Sequence, residues 1–93
     1  MQVYVTLYKY TGPVKGGGLE RFEKVKQIVT DEKGRILNIY GLLGAYDAIS
    51  VSEFPDNRKA MRAALRIGNL ISAQTNTMAA VEGEDFLQIL SDL

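Results

Sequence analysis

A tyrosine followed directly by an aspartate, Tyr46-Asp47, stands between two apolar runs and just after Gly44. This is the part of the chain best suited to chemistry. A carboxylate partly withdrawn from water has its pKa raised and can act as a general base. A phenol beside it can orient a carbonyl or hydroxyl. Asp47 and Tyr46 are therefore the candidate catalytic residues, and Gly44, Tyr46, Asp47 and Arg62 the candidate ligand-binding residues. The same residues also have an architectural reading. A short acidic side chain accepts backbone N–H bonds in the Leu43-Gly44-Ala45 turn while Tyr46 packs. An Asp47 turned toward the helix layer would support the first reading, and an Asp47 tied into the turn the second.

The chain contains neither histidine nor cysteine. Without cysteine there is no disulfide, no thiolate nucleophile and no thiolate metal site. Without histidine there is no imidazole base and no usual transition-metal ligand. Chemistry would have to run on Asp, Glu, Tyr, Lys or Arg, and no cofactor or metal is expected. Gly16-Gly17-Gly18 could turn backbone N–H groups toward an anion, yet no GxGxxG spacing or Walker lysine follows, so a linker is expected. Glu53, Glu82, Glu84 and Asp85 could form an oxygen-only cation site, but their spacing is not that of a calcium hand.

Tyr4, Tyr8, Lys9 and Tyr10 invite comparison with the stacking platforms of RNA-recognition domains. Such platforms need aromatics on the third strand, where this chain has Ala48, Ser50 and Ser52. No nucleic-acid partner is expected, and the tyrosines are assigned to an interface. Arg58, Lys59, Arg62 and Arg66 make a basic stripe that would suit a carboxylate or phosphate, or simply face water. Cations so near a helix N-terminus call for a counter-charge such as Glu53 or a neighbouring subunit. Lys+Arg and Asp+Glu are both 11, so no global field draws the chain to nucleic acid or to an anionic membrane. No segment has the length and apolarity of a membrane span and no signal-peptide core is present, so a cytoplasmic location is expected.

The elements that must hold these residues follow from periodicity. Val3, Val5 and Leu7 alternate with Tyr4, Thr6 and Tyr8, which predicts a strand over about residues 2–10, ended by Thr11-Gly12-Pro13. Leu19, Phe22, Val25, Ile28 and Val29 recur at helical spacing, and Gly34 is placed to close that helix in a left-handed conformation. Ile36 to Leu43 and Tyr46 to Phe54 read as two strands joined by a glycine-bearing turn. Asp56 should cap a second helix with Met61, Ala64, Leu65, Gly68 and Ile71 inward. Ala73 to Val81 forms a last strand, and Phe86–Leu90 one or two further helical turns.

The order β-α-β-β-α-β predicts an α+β, ferredoxin-like sandwich: a four-stranded antiparallel sheet, two helices on one face and a short C-terminal helix, all in one domain over residues 1–93. Val3, Val5, Leu7, Ile49 and Val51 are expected beneath the helices. Tyr4, Thr6, Tyr8, Ser50, Ser52 and Met78 are expected on the bare face. Such a face in a small chain suggests a homodimer or higher oligomer, with Phe86–Leu90 gripping the neighbour or covering an edge.

Gly44-Ala45-Tyr46-Asp47 resembles the Gly-x-Tyr-Asp signature of the GYD domain family of small α/β proteins. Glu53-Phe54-Pro55-Asp56 and Thr75-Asn76-Thr77-Met78-Ala79 resemble that family's exit into the second helix and its closing strand. The resemblance runs through nearly the whole chain, except that Lys15-Gly16-Gly17-Gly18 is richer in glycine than the family pattern. It implies pairing as a dimeric α/β barrel and carries no activity with it. The function expected is binding of a small ligand in the sheet–helix crevice, or self-assembly. The alternative is a cofactor-free enzyme performing isomerase- or lyase-like proton transfer with Asp47 as base and Tyr46 as its partner.

Overall fold

The computed structural model describes residues 1–14 and 16–93; Lys15, in the glycine-rich loop, lies outside the described residues. The chain runs β1 (Gln2–Tyr10), α1 (Gly18–Asp31), β2 (Arg35–Gly41), β3 (Ala48–Phe54), α2 (Asn57–Ile71), β4 (Ala73–Ala80) and α3 (Gly83–Ser91). The four strands form one antiparallel sheet in the order β2-β3-β1-β4. This is the ferredoxin-like arrangement, extended by α3. Strand β1 is central, with Tyr4 opposite Ser52 on one side and Ala79 on the other. A register shift between Ile36 and Asn38 interrupts the β2–β3 pairing.

The two sheet faces are the reverse of the expectation. Tyr4, Thr6, Tyr8, Ser50, Ser52 and Phe54 are buried, and the core joins Tyr4, Tyr8 and Phe54 to Val25 and Val29 of α1 and Ala60, Ala63 and Ile67 of α2. Val3, Val5, Leu7, Ile49 and Val51 alternate with them and so lie on the face without helices. The Tyr4/Thr6/Tyr8/Ser50/Ser52 face is thus not available as a subunit interface. Alternation separates two sets of residues without saying which set the helices cover. Here α2 presents Ala60 and Ala63, and the rings of Tyr4, Tyr8 and Phe54 reach up to fill the layer. Their polar ends are satisfied there. The Tyr4 hydroxyl donates to Asn57 Oδ1 (2.5 Å), Tyr8 and Ser50 hydroxyls bond at 2.8 Å, and Thr6 and Thr77 hydroxyls at 2.9 Å.

Helix α2 is rotated from the expected stripe for the same reason. Ala60, Ala63 and Ile67 face inward, while Met61 and Leu65 are each 63% exposed. Small residues let the backbone approach closely: a Cβ on Gly68 would stand 2.9 Å from the Ala73 carbonyl oxygen. Asp56 caps the helix as expected, accepting from the Lys59 backbone N–H at 2.9 Å. In α1, Leu19 is exposed rather than inward. The turn after that helix also differs, since Lys33, not Gly34, takes the left-handed conformation at φ 63°. Gly34 is needed for space, because a Cβ there would come 2.4 Å from the Phe54 ring.

Candidate functional site

Gly44, Tyr46 and Asp47 lie in the loop between β2 and β3. Gly44 has φ 143°, a conformation that favours glycine, and a side chain there would meet open space. Asp47 acts as a clasp between strands. Its N–H donates to the Tyr8 carbonyl (2.8 Å), its carbonyl accepts from Leu42 N–H (2.9 Å), and its carboxylate Oδ2 accepts from Tyr10 N–H (2.8 Å). Asp47 is half-buried and Tyr46 is exposed. The carboxylate is therefore tied to the end of β1 rather than to the Leu43–Ala45 turn.

Arg62 is not brought to this loop. The β2–β3 register runs from Arg35–Glu53 at one end of the sheet to Gly41–Ala48 at the other, where the loop sits. Arg62 works at the first end. Its Nε donates to Glu32 Oε1 (3.1 Å), Arg66 Nη1 donates to Glu32 Oε2 (2.9 Å), and Lys59 Nζ lies 3.9 Å from Oε1. Arg66 Nη2 also reaches Asp31 at 3.2 Å. The Glu32 side chain is only 4% exposed. Burial works to raise its pKa, but hydrogen bonds from Arg66 and Arg62 and the charges of Arg62 and Lys59 outweigh it, and the carboxyl is held below its ordinary range. Most of the basic stripe is thus consumed in tying α2 to the end of α1. Glu53, suggested as the counter-charge, pairs instead with Arg35 at 3.1 Å. Among the described residues no three acidic side chains gather as a metal-ligating group.

The sheet–helix crevice itself contains a cavity of about 190 Å³ beneath α1. Phe22, Val25 and Val29 of α1, Ile36 and Ile39 of β2 and Ile67 and Ile71 of α2 supply its apolar wall. Its floor is Ala48, Ser50 and Ser52, three small residues on β3, beside Tyr8. Where β1 sends up rings, β3 sends up a methyl and two hydroxymethyl groups, and the space remains open. Ser50 is bonded to Tyr8. Ser52 also lines the cavity, and its hydroxyl, which forms no hydrogen bond among the described residues, is not sealed from solvent. Burial raises the Tyr8 pKa, partly offset by the hydrogen bonds from Ser50 and Thr6, so its hydroxyl stays protonated. Arg21 stands at the rim, donating to the Gly16 carbonyl at 2.8 Å. The sequence points to a ligand in the sheet–helix crevice but places Ser50 and Ser52 on the opposite, interface face, so their part in the cavity is a correction. The signal was the row of small side chains at alternate positions of one strand.

The GYD domain family matches residues 4–90, nearly the full chain, in the order seen in the fold. The chain belongs to this family. Within the Gly44–Asp47 run, Asp47 is the residue that clasps the β2–β3 loop to β1. A comparison with curated proteins finds no match. Among solved structures, the Mycobacterium tuberculosis leucine response regulatory protein LrpA superposes with a TM-score of 0.68 at 11% identity, covering 87% of this chain and 51% of that one. This GYD chain therefore spans about half the length of that protein. The 30S ribosomal protein S6 of Thermotoga maritima gives 0.58 at 15% identity, over 97% of both chains. An ACT domain protein from Streptococcus pneumoniae gives 0.54 at 12%, over 86% of this chain and 90% of that one. At such identities the likeness is one of fold.

Proposed function

We propose that this GYD protein is a homodimeric small-molecule-binding module whose ligand enters the cavity beneath α1. The observation that carries the proposal is the cavity itself, walled by apolar side chains of α1, β2 and α2 and floored by Tyr8, Ser50 and Ser52, whose hydroxyls offer polar anchors. The Ser52 hydroxyl forms no hydrogen bond among the described residues, and one made to a ligand contributes about 0.5–1.5 kcal/mol net. The cavity is smaller than the roughly 300–1,000 Å³ typical of sites for drug-sized ligands. Its occupant is accordingly compact, with an apolar body and one hydroxyl or carbonyl group.

The dimer would form through the bare face of Val3, Val5, Leu7, Ile49 and Val51, flanked by exposed Tyr40 and Met78. This aliphatic surface is better suited to sheet-on-sheet burial than the tyrosine face, which the helices cover, and it would yield the dimeric α/β barrel. A proton-transfer role for Asp47 with Tyr46 has less support, because one carboxylate oxygen is committed to Tyr10 N–H.

Native mass spectrometry of the purified protein reports subunit number and any retained molecule together. A titration with benzyl alcohol, followed by amide NMR, then tests the cavity. Shifts should centre on Tyr8, Ser50, Ser52 and Val29. Ser52→Val fills part of the space and removes the unpartnered hydroxyl, so it should leave folding stability within about 1 kcal/mol of the parent while weakening binding at least tenfold. Unchanged binding in that variant would overturn the assignment.

A further inference from the structure

Helix α3 has no neighbour. It follows β4 after only Val81 and Glu82, and among the described residues no other element packs against it. Phe86, Leu87, Ile89 and Leu90 are between 48% and 65% exposed. The molecule measures 47 × 30 × 18 Å with a radius of gyration of 14.1 Å, against about 12 Å for a compact chain of this length. A nine-residue helix is too short to be stable on its own in water, so its apolar side implies a surface that receives it.

A matching surface exists elsewhere on the chain. Between α2 and the edge strand β4 runs a groove of about 410 Å³, lined by Ala60, Met61, Ala64, Leu65, Thr77 and Ala79 among others. Its rim residues Met61 and Leu65 are the large exposed apolar side chains of α2 noted above. The charges complement each other. Helix α2 carries Arg58, Lys59, Arg62 and Arg66 and no acid, whereas α3 carries Glu84 and Asp85, follows Glu82, and has no cation. Lys59, Arg62 and Arg66 are occupied by Glu32 and Asp31, but Arg58 forms no ion pair among the described residues.

We infer that α3 is an exchanged arm that docks in the α2–β4 groove of a second copy of this chain. Parallel alignment places Glu84 and Asp85 against Arg58, Phe86 and Leu87 against Met61, and Leu90 against Leu65. The spacings agree at 1.5 Å per residue: about 10 Å from Arg58 to Leu65 and about 9 Å from Glu84 to Leu90. The acidic first turn of α3 offers the counter-charge that Arg58 lacks, and the apolar side covers a sheet edge that is otherwise open. Reciprocal exchange closes a two-fold dimer.

Because the chain has no cysteine, a Leu65→Cys/Leu90→Cys double variant isolates the contact. After equilibration in a glutathione buffer, the inference expects a covalent dimer whose peptide map shows the 65–90 link, with much less cross-linking in either single variant. Adding Arg58→Glu should lower the yield severalfold at low salt, and adding Glu84→Arg to that variant should restore it. A monomer with an internal 65–90 disulfide would show α3 folding onto its own groove and would overturn the exchange. Free thiols would overturn docking altogether. Light scattering on the parent distinguishes this outcome from failure of the sheet-face dimer, since that dimer can persist without the arm.

Discussion

Asp47 is built into the fold through both its backbone and its carboxylate. It donates one hydrogen bond, to the Tyr8 carbonyl, and accepts two, from Leu42 N–H at its carbonyl and from Tyr10 N–H at its carboxylate, which close the loop and hold it to the end of β1. Gly44 supplies the conformation that lets the loop turn, and Tyr46 sits between them. Replacing Asp47 with alanine removes the side-chain acceptor for the half-buried Tyr10 N–H. Asp47→Ala should therefore destabilise the fold by about 1 kcal/mol, and Asp47→Asn, which keeps a carbonyl acceptor, by less. Urea denaturation of the two variants measures the difference. Equal losses in both would show that the negative charge, rather than the acceptor, matters.

Among the elements, the coupling of α1 to α2 rests on a charged cluster as well as on the apolar layer. Glu32, just past the end of α1, receives Arg62 and Arg66 from successive turns of α2. Because the folded-state pKa of Glu32 is depressed, its contribution is fully present above the ordinary glutamate range. That contribution is lost as pH falls through the folded-state value. Asp31, lowered by hydrogen bonds from Gln27 and Arg66, acts in the same direction. Thermal melts should show a midpoint that drops as pH is lowered through and below the carboxylate range. In Glu32→Gln that drop should be shallower, because the largest buried carboxylate in the linkage is gone. A parallel pH dependence in parent and variant would place the acid sensitivity elsewhere.

At the scale of the molecule, the uncovered apolar surfaces include the aliphatic sheet face, the apolar side of α3 and the α2–β4 groove. The first extends across β1 and β3, where Val3, Val5, Leu7, Ile49 and Val51 stand in register. Placing a charge at its centre leaves the helix side untouched. Val5→Lys should keep the helical circular dichroism and the benzyl alcohol response while raising the dimer dissociation constant tenfold or more, equivalent to about 1.4 kcal/mol. Sedimentation equilibrium at micromolar concentration provides the reading. A dimer as tight as the parent's would rule out the sheet face as the interface.

Sequence alone determined the element order, because helices and strands impose periods of 3.6 and 2 on apolar residues within short windows. It also located the Asp56 cap and the Gly44–Asp47 loop, whose geometry is local, and it excluded thiol and imidazole chemistry by composition. Tertiary structure decided which face of the sheet the helices cover. Val3, Val5 and Leu7 look more like a core than Tyr4, Thr6 and Tyr8, but the small stripe of Ala60 and Ala63 leaves room that only rings fill, with partners at hand for their hydroxyls. It decided, too, that Arg62 and Arg66 meet Glu32, residues thirty or more positions apart. The cavity beneath α1 is likewise a product of packing. Ser50 and Ser52 are ordinary strand residues until a helix bridges over them and makes them the floor of a cavity.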